Sequence, residues 1–121
     1  MKETKTTIER SVIIATGASL SSVLDKSHYE RISILMPTAW TAADICFTVS
    51  DSLTGTFLPL RYADLGTIIY VKAAASKEIG LNGGIMEAVA AAPFIKISSD
   101  NGQGGAVVQT AERKIKFILM R

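Results

Sequence analysis

"YERISILMPTAWTAADICFTVSD", Tyr29 to Asp51, holds two runs of alternating character on either side of a proline. In the first run Ile32, Ile34 and Met36 point one way, and Arg31 and Ser33 the other. In the second, Ile45, Phe47 and Val49 alternate with Cys46, Thr48 and Ser50. A period of two marks strands with one buried and one wetter face. It is the habit of antiparallel sheets, since parallel sheets covered on both sides read as continuous apolar runs. Pro37 ends the first strand because it has no N–H for a ladder, and "TAWTAA" (38–43) carries the chain across to the second. Trp40, the single tryptophan, is read as packing at this corner, where small alanines let a large ring approach.

The same alternation continues outward. "FIKIS" sets Ile95 and Ile97 against Lys96 and Ser98, and "ERKIKFILMR" sets Ile115, Phe117 and Leu119 against Lys114 and Lys116. Further strands are expected at 10–15, 18–24, 56–60, 67–73 and 78–81. Turn signals separate them: "TG" at Thr16–Gly17, "DSLTG" at Asp51–Gly55, "ADLG" at Ala63–Gly66 and "SDNGQGG" at Ser99–Gly105. Short strands at this spacing predict an all-β, antiparallel β-sandwich of jelly-roll type. One segment departs from the rule. "GGIMEAVAAA" (83–92) is rich in helix formers and stops before Pro93, which predicts one short helix. Residues 1–9 are polar without a period and read as an arm, leaving 10–121 as one sandwich domain.

Composition narrows the function. The 121 residues are 48% hydrophobic and 20% charged, the balance of a folding chain. Thirteen basic residues against eleven acidic give +2, which lacks the concentrated basic charge of a dedicated nucleic-acid binder. One cysteine and one histidine leave no disulfide and no thiolate zinc site. No apolar run reaches the ~18–20 residues of a membrane-spanning helix. The chain is therefore expected to need no metal or cofactor and to bind neither nucleic acid nor membrane.

Candidate chemistry is sparse. Cys46 sits mid-strand, with no neighbouring cation to lower its pKa, and reads as a packing cysteine. His28 lies in polar "DKSHYE" and reads as a solvated loop residue; a dyad with Cys46 or a serine would require the fold to bring them together. Asp44, Asp51, Glu78, Glu87, Asp100 and Glu112 are scattered, and "DNGQGG" has neither the carboxylates of a calcium loop nor the Lys-Ser/Thr of a phosphate loop. It reads as a flexible hairpin. No catalytic residue is assigned, and the chain is not expected to be an enzyme.

A resemblance does emerge from the longer pattern. "ATGASLSSVLD", "YERISILMPTAWTAADICFTVSD", "GTFLPL", "AAASKEIGLNGG", "FIKISSDNG" and "QTAERKIKFILM" occur in the order of motifs shared by small proteins of tailed bacteriophages. Those motifs are "I-x-x-G-x-S-L-S", "Q-M-P-x-A-W-T-A-A-x-L-x-F", a "G-T-F" turn, "A-A-x-x-x-x-x-L-x-P", a strand such as "hydrophobic-I-K-I-R-S-G" and a closing "Q-x-A-x-R-x-L-x-hydrophobic". The resemblance spans most of residues 11–121, although "GGIMEAVAAA" replaces the usual link and the arm "MKETKTTIER" has no counterpart. It implies a capsid decoration, or cement, protein: a homotrimer on the head surface that binds the major capsid protein and stabilises contacts between capsomers. Such a protein is made in the host cytoplasm and resides on the virion.

On that reading, Lys2, Lys5 and Arg10 of the arm are candidate capsid contacts. Ile69, Val71, Ile118 and Met120 are candidate trimer-interface residues, because apolar side chains on both faces of a strand call for a second cover. The alternative from another class is a carbohydrate-binding module on a head fibre or tail appendage, for which Trp40, Tyr29, Tyr62 and Tyr70 would have to offer exposed rings.

Overall fold

The fold is described from a computed structural model for residues 7–63, 65–81 and 83–121. Nine strands and one helix follow in chain order: β1 (Thr7–Ile14), β2 (Leu24–Asp25), β3 (Arg31–Leu35), β4 (Asp44–Ser50), β5 (Leu58–Pro59), β6 (Tyr70–Val71), β7 (Glu78–Gly80), α1 (Gly83–Ala90), β8 (Phe94–Asp100) and β9 (Arg113–Met120). They form two antiparallel sheets. One has the order β1-β9-β3-β7; the other has β2-β8-β4-β5, with β6 also paired to β4. Six of the eight connections between these strands cross from one sheet to the other, and β9 lies beside β1. That is jelly-roll winding.

The alternating residues set the layers. Ile32 and Ile34 of β3, Ile115, Phe117 and Leu119 of β9, and Val12 and Ile14 of β1 face Ile45 and Phe47 of β4 and Ile95 and Ile97 of β8. All are at most 2% exposed, so the two inner faces interdigitate into one dry core. Proline ends β3 as expected, since the next strand begins only at Asp44. The helix closes one side of the sandwich between β7 and β8, with Val89 wholly buried. It stops at Ala90, ahead of Pro93.

Three expectations change at the margins. The first strand begins at Thr7, so residues 7–9 belong to the sheet and not to an arm. The expected strands at 18–24, 56–60 and 67–73 shrink to pairs of residues and isolated bridges such as Leu20 with Ser98. Each edge of the second sheet is thus made of short pieces. The "DNGQGG" loop is pinned, not loose. The Asp100 carboxylate accepts the N–H groups of Gly102 and Gly104 at 2.8 and 3.0 Å, and the Asn101 side chain accepts those of Gln103 and Gly105 at 2.8 and 3.1 Å. Gly102 is required at its place: it has φ 85°, and a Cβ there would lie 3.1 Å from an Asp44 carboxylate oxygen.

Candidate functional site

The densest polar network joins stretches far apart in the chain. Gln109 is completely buried. Its side-chain oxygen accepts the Thr41 N–H at 2.9 Å and the Arg113 Nε–H at 3.1 Å, while its amide nitrogen donates to the Thr41 carbonyl at 3.2 Å. The side chain thus imitates a paired strand residue for the corner between β3 and β4. Its backbone does the same for another turn, with Gly17 N–H donating to the Gln109 carbonyl at 2.8 Å and Gln109 N–H to the Ala18 carbonyl at 2.9 Å. Arg113 Nη2 reaches the Thr41 and Thr110 hydroxyls at 3.3 and 3.4 Å. A buried amide whose oxygen and nitrogen are both hydrogen-bonded rigidifies what it touches.

Trp40 stands beside this knot, partly buried against the core, with its indole N–H donating to the Ala43 carbonyl at 3.1 Å. The expected corner packing is what the fold shows. Tyr29 and Tyr62 are likewise packed against the core, whereas Tyr70 is 36% exposed and has the Lys72 ammonium 5.6 Å from its ring centre. One ring among the four therefore remains open to a ligand.

The outer face of the second sheet carries a grouping that spacing along the chain hides. Asp44 and Asp100 are directly opposite each other across β4 and β8, and Cys46 opposes Ser98 one step along. Lys72 pairs with Asp44 at 3.4 Å, and Asp100 is buried with its oxygen committed to the loop amides. Burial, reinforced by the Asp100 and Asp44 carboxylates, pushes the Cys46 thiol up to about 12. A thiol held protonated at neutral pH is no nucleophile. His28 is exposed on its loop and lines a cleft of about 430 Å³ with Lys26, Tyr29 and Glu30, while Cys46 lines a different cleft. The fold does not bring His28 and Cys46 together. Among the described residues no group of three His, Cys, Asp or Glu side chains is placed to hold a metal ion.

Lys26 gave no signal in the sequence. It is 1% exposed, its Nζ donates to the Ala90 carbonyl at 3.2 Å, and its N–H donates to the Pro93 carbonyl at 2.9 Å. The ammonium therefore meets the negative C-terminal end of α1. Burial lowers its pKa from the usual lysine range, with Glu30 opposing that shift.

The residues expected at interfaces separate into groups. Lys2 and Lys5 lie outside the described residues. Arg10 is exposed on β1. Ile69 and Val71 are 2% and 9% exposed and belong to the chain's own core, so they are not surface that a second copy can cover. Reading 67–73 as one regular strand put them on the wrong layer: only Tyr70 and Val71 pair with β4, and Val71 shares the inner face of its partner Ile45. Ile118 and Met120 do lie on the outer face of the first sheet, half-buried, in a shallow groove of about 210 Å³ shared with Ser33, Leu81 and Met86.

Fold and surface together define an all-β jelly-roll domain held by a buried glutamine knot. No protein-family model and no curated protein matches the chain. Among solved structures it is similar to the crystal structure of the SPBc2 prophage-derived protein YomS. The TM-score is 0.58 at 12% identity, covering 100% of both chains. At that identity the likeness is one of fold.

Proposed function

We propose that this chain is a tailed-phage virion protein that decorates the capsid, binding the outer surface of the head as a homotrimer and stabilising contacts between capsomers. The observation that carries the proposal is the glutamine knot. The phage-like motifs containing Gly17, Thr41, Gln109 and Arg113 are dispersed in sequence, yet they meet in one hydrogen-bonded unit. Residues that a resemblance singles out thus serve a shared scaffold. The full-length likeness to a prophage-derived fold supports the same reading. Jelly rolls recur in viral capsid and lectin domains, so the fold by itself favours neither rival.

A cement protein works through a rigid body and complementary surfaces and requires no active site. Ile118 and Met120, with the partly buried Met86 beside them, are the interface patch this reading assigns to the trimer. Arg10, exposed at the edge of the same sheet, is the capsid contact this reading assigns. The glycan-binding alternative is weakened because Trp40, Tyr29 and Tyr62 pack against the core. Light scattering on a sizing column tests the oligomer: three copies of 12.9 kDa are expected. Co-sedimentation with emptied or expanded heads tests the role. A monomer that fails to sediment with shells overturns the proposal.

A further inference from the structure

The edges of the two sheets are unequal. β2, β5, β6 and β7 present two or three residues each, whereas β1 is an edge strand of eight. Keeping edges short limits unwanted pairing, so a long one stands out. The free side of β1 is closed at its C-terminal end alone. There Ile13 N–H donates to the Ser22 hydroxyl at 3.0 Å, Ser22 N–H donates to the Ile13 carbonyl at 3.0 Å, and Ile14 bridges to Ser21. Ladder groups alternate in direction along an antiparallel strand. With Ile13 turned away from β9, Glu9 and Ser11 are turned the same way, and among the described residues no hydrogen bond meets them on that side.

The side chains along this edge specify what would fit. Arg10 opposes Phe117 and Ile8 opposes Leu119, so both lie on the core side of the sheet. Ile8 is partly buried against the core, but Arg10 is exposed and forms no ion pair among the described residues; the Asp25 carboxylate that acts on it from a distance is already committed to the Ser27 N–H and hydroxyl. An inward-side charge at an edge repels most incoming strands and admits one that neutralises it. We infer that the open edge of β1 is a strand-addition site. An extended segment of a partner protein pairs antiparallel with residues 7–11, placing a carboxylate opposite Arg10 and an apolar side chain opposite Ile8. A second copy of β1 is a poor occupant, because registers centred on the exposed stretch bring Glu9 opposite Glu9 or Arg10 opposite Arg10. The site stands on the geometry of the first sheet and does not depend on the shell role.

The test uses the ¹⁵N-labelled full chain and two capped heptapeptides, Thr-Val-Thr-Asp-Thr-Val-Thr and its counterpart with lysine at the centre. The Asp peptide is expected to shift the amides of Glu9 and Ser11, protect them from exchange, and bind at least ~10-fold tighter than the Lys peptide. Arg10→Glu should reverse that preference. Ser11→Pro should abolish binding with the remaining amide spectrum unchanged, since the N–H it removes points to the open side. If that variant does not fold, the Arg10→Glu reversal is decisive alone. Equal affinity for the two peptides, shifts confined to other strands, or no shift at millimolar peptide would overturn the site. So would self-association of the free chain through the Glu9 and Ser11 amides, which would make the occupant a second copy.

Discussion

Gln109 shows what one buried amide does when its partners come from three parts of the chain. Replacing it with alanine leaves the Thr41 N–H and carbonyl without partners in a half-buried corner, along with the Arg113 guanidinium. Gln109→Ala should therefore cost about 3 kcal/mol in urea unfolding, within the range for unsatisfied buried groups. Cys46 makes a second residue-level prediction. Its folded pKa, about 12, lies above its ordinary value of 9.0, so the folded state holds the thiol proton after the unfolded chain has released it. The stability it contributes is complete below pH 9 and is lost as pH rises toward 12. Cys46→Ala should flatten that decline relative to the parent chain in denaturant melts across this range. In the folded parent, Cys46 should also react with a thiol reagent at neutral pH no faster than global unfolding allows.

At the level of elements, α1 is anchored by a charge that has left water. Lys26 has a lowered pKa, so the unfolded chain binds its proton more tightly than the folded one. Its linkage therefore makes stability rise with pH in the window between the depressed folded value and 10.5, with a constant penalty below that window. Lys26→Met keeps the apolar stem and removes the buried charge. It should be neutral or stabilising at pH 7, and should lack the alkaline rise when its pH–stability curve is compared with the parent's. β9 is the opposite case, an element whose worth is nearly all packing. It lies between β1 and β3, and Phe117 is wholly buried at its centre. Phe117→Ala should cost about 3–5 kcal/mol by chemical denaturation, whereas Lys116→Ala should shift stability by under about 1 kcal/mol, because its pairing with Glu9 at 3.8 Å is solvent-exposed.

For the whole molecule, the outer face of the first sheet is where assembly should be read. Ile118 and Met120 are half-exposed beside Met86, on a face that also bears Arg31, Leu35 and Lys116. If this strip joins protomers, Ile118→Lys should lower the mass seen by light scattering from that of a trimer to that of a monomer. The thermal unfolding of the monomer itself should change little, because the position is not in the core. The same substitution placed at Ile69 should instead unfold the chain, since that residue is sealed inside the sandwich.

The period-two runs were enough to determine strands β3, β4, β8 and β9 and, with proline, the corner at Pro37, while helix formers ahead of Pro93 marked the short helix, because these signals act locally. The jelly-roll class was legible from the same signals. The positions of Ile69 and Val71 were not, because only a two-residue strand forms there, and burial on its inner face depends on the opposite layer. Nor did any spacing announce the Asp44–Asp100 pairing, the buried Lys26 or the contacts of Gln109 with Thr41, 68 residues away. Each is created by which strands lie side by side. Local sequence set the periodicity of the pieces; only tertiary packing decided which polar groups were enclosed together and which edge was left open.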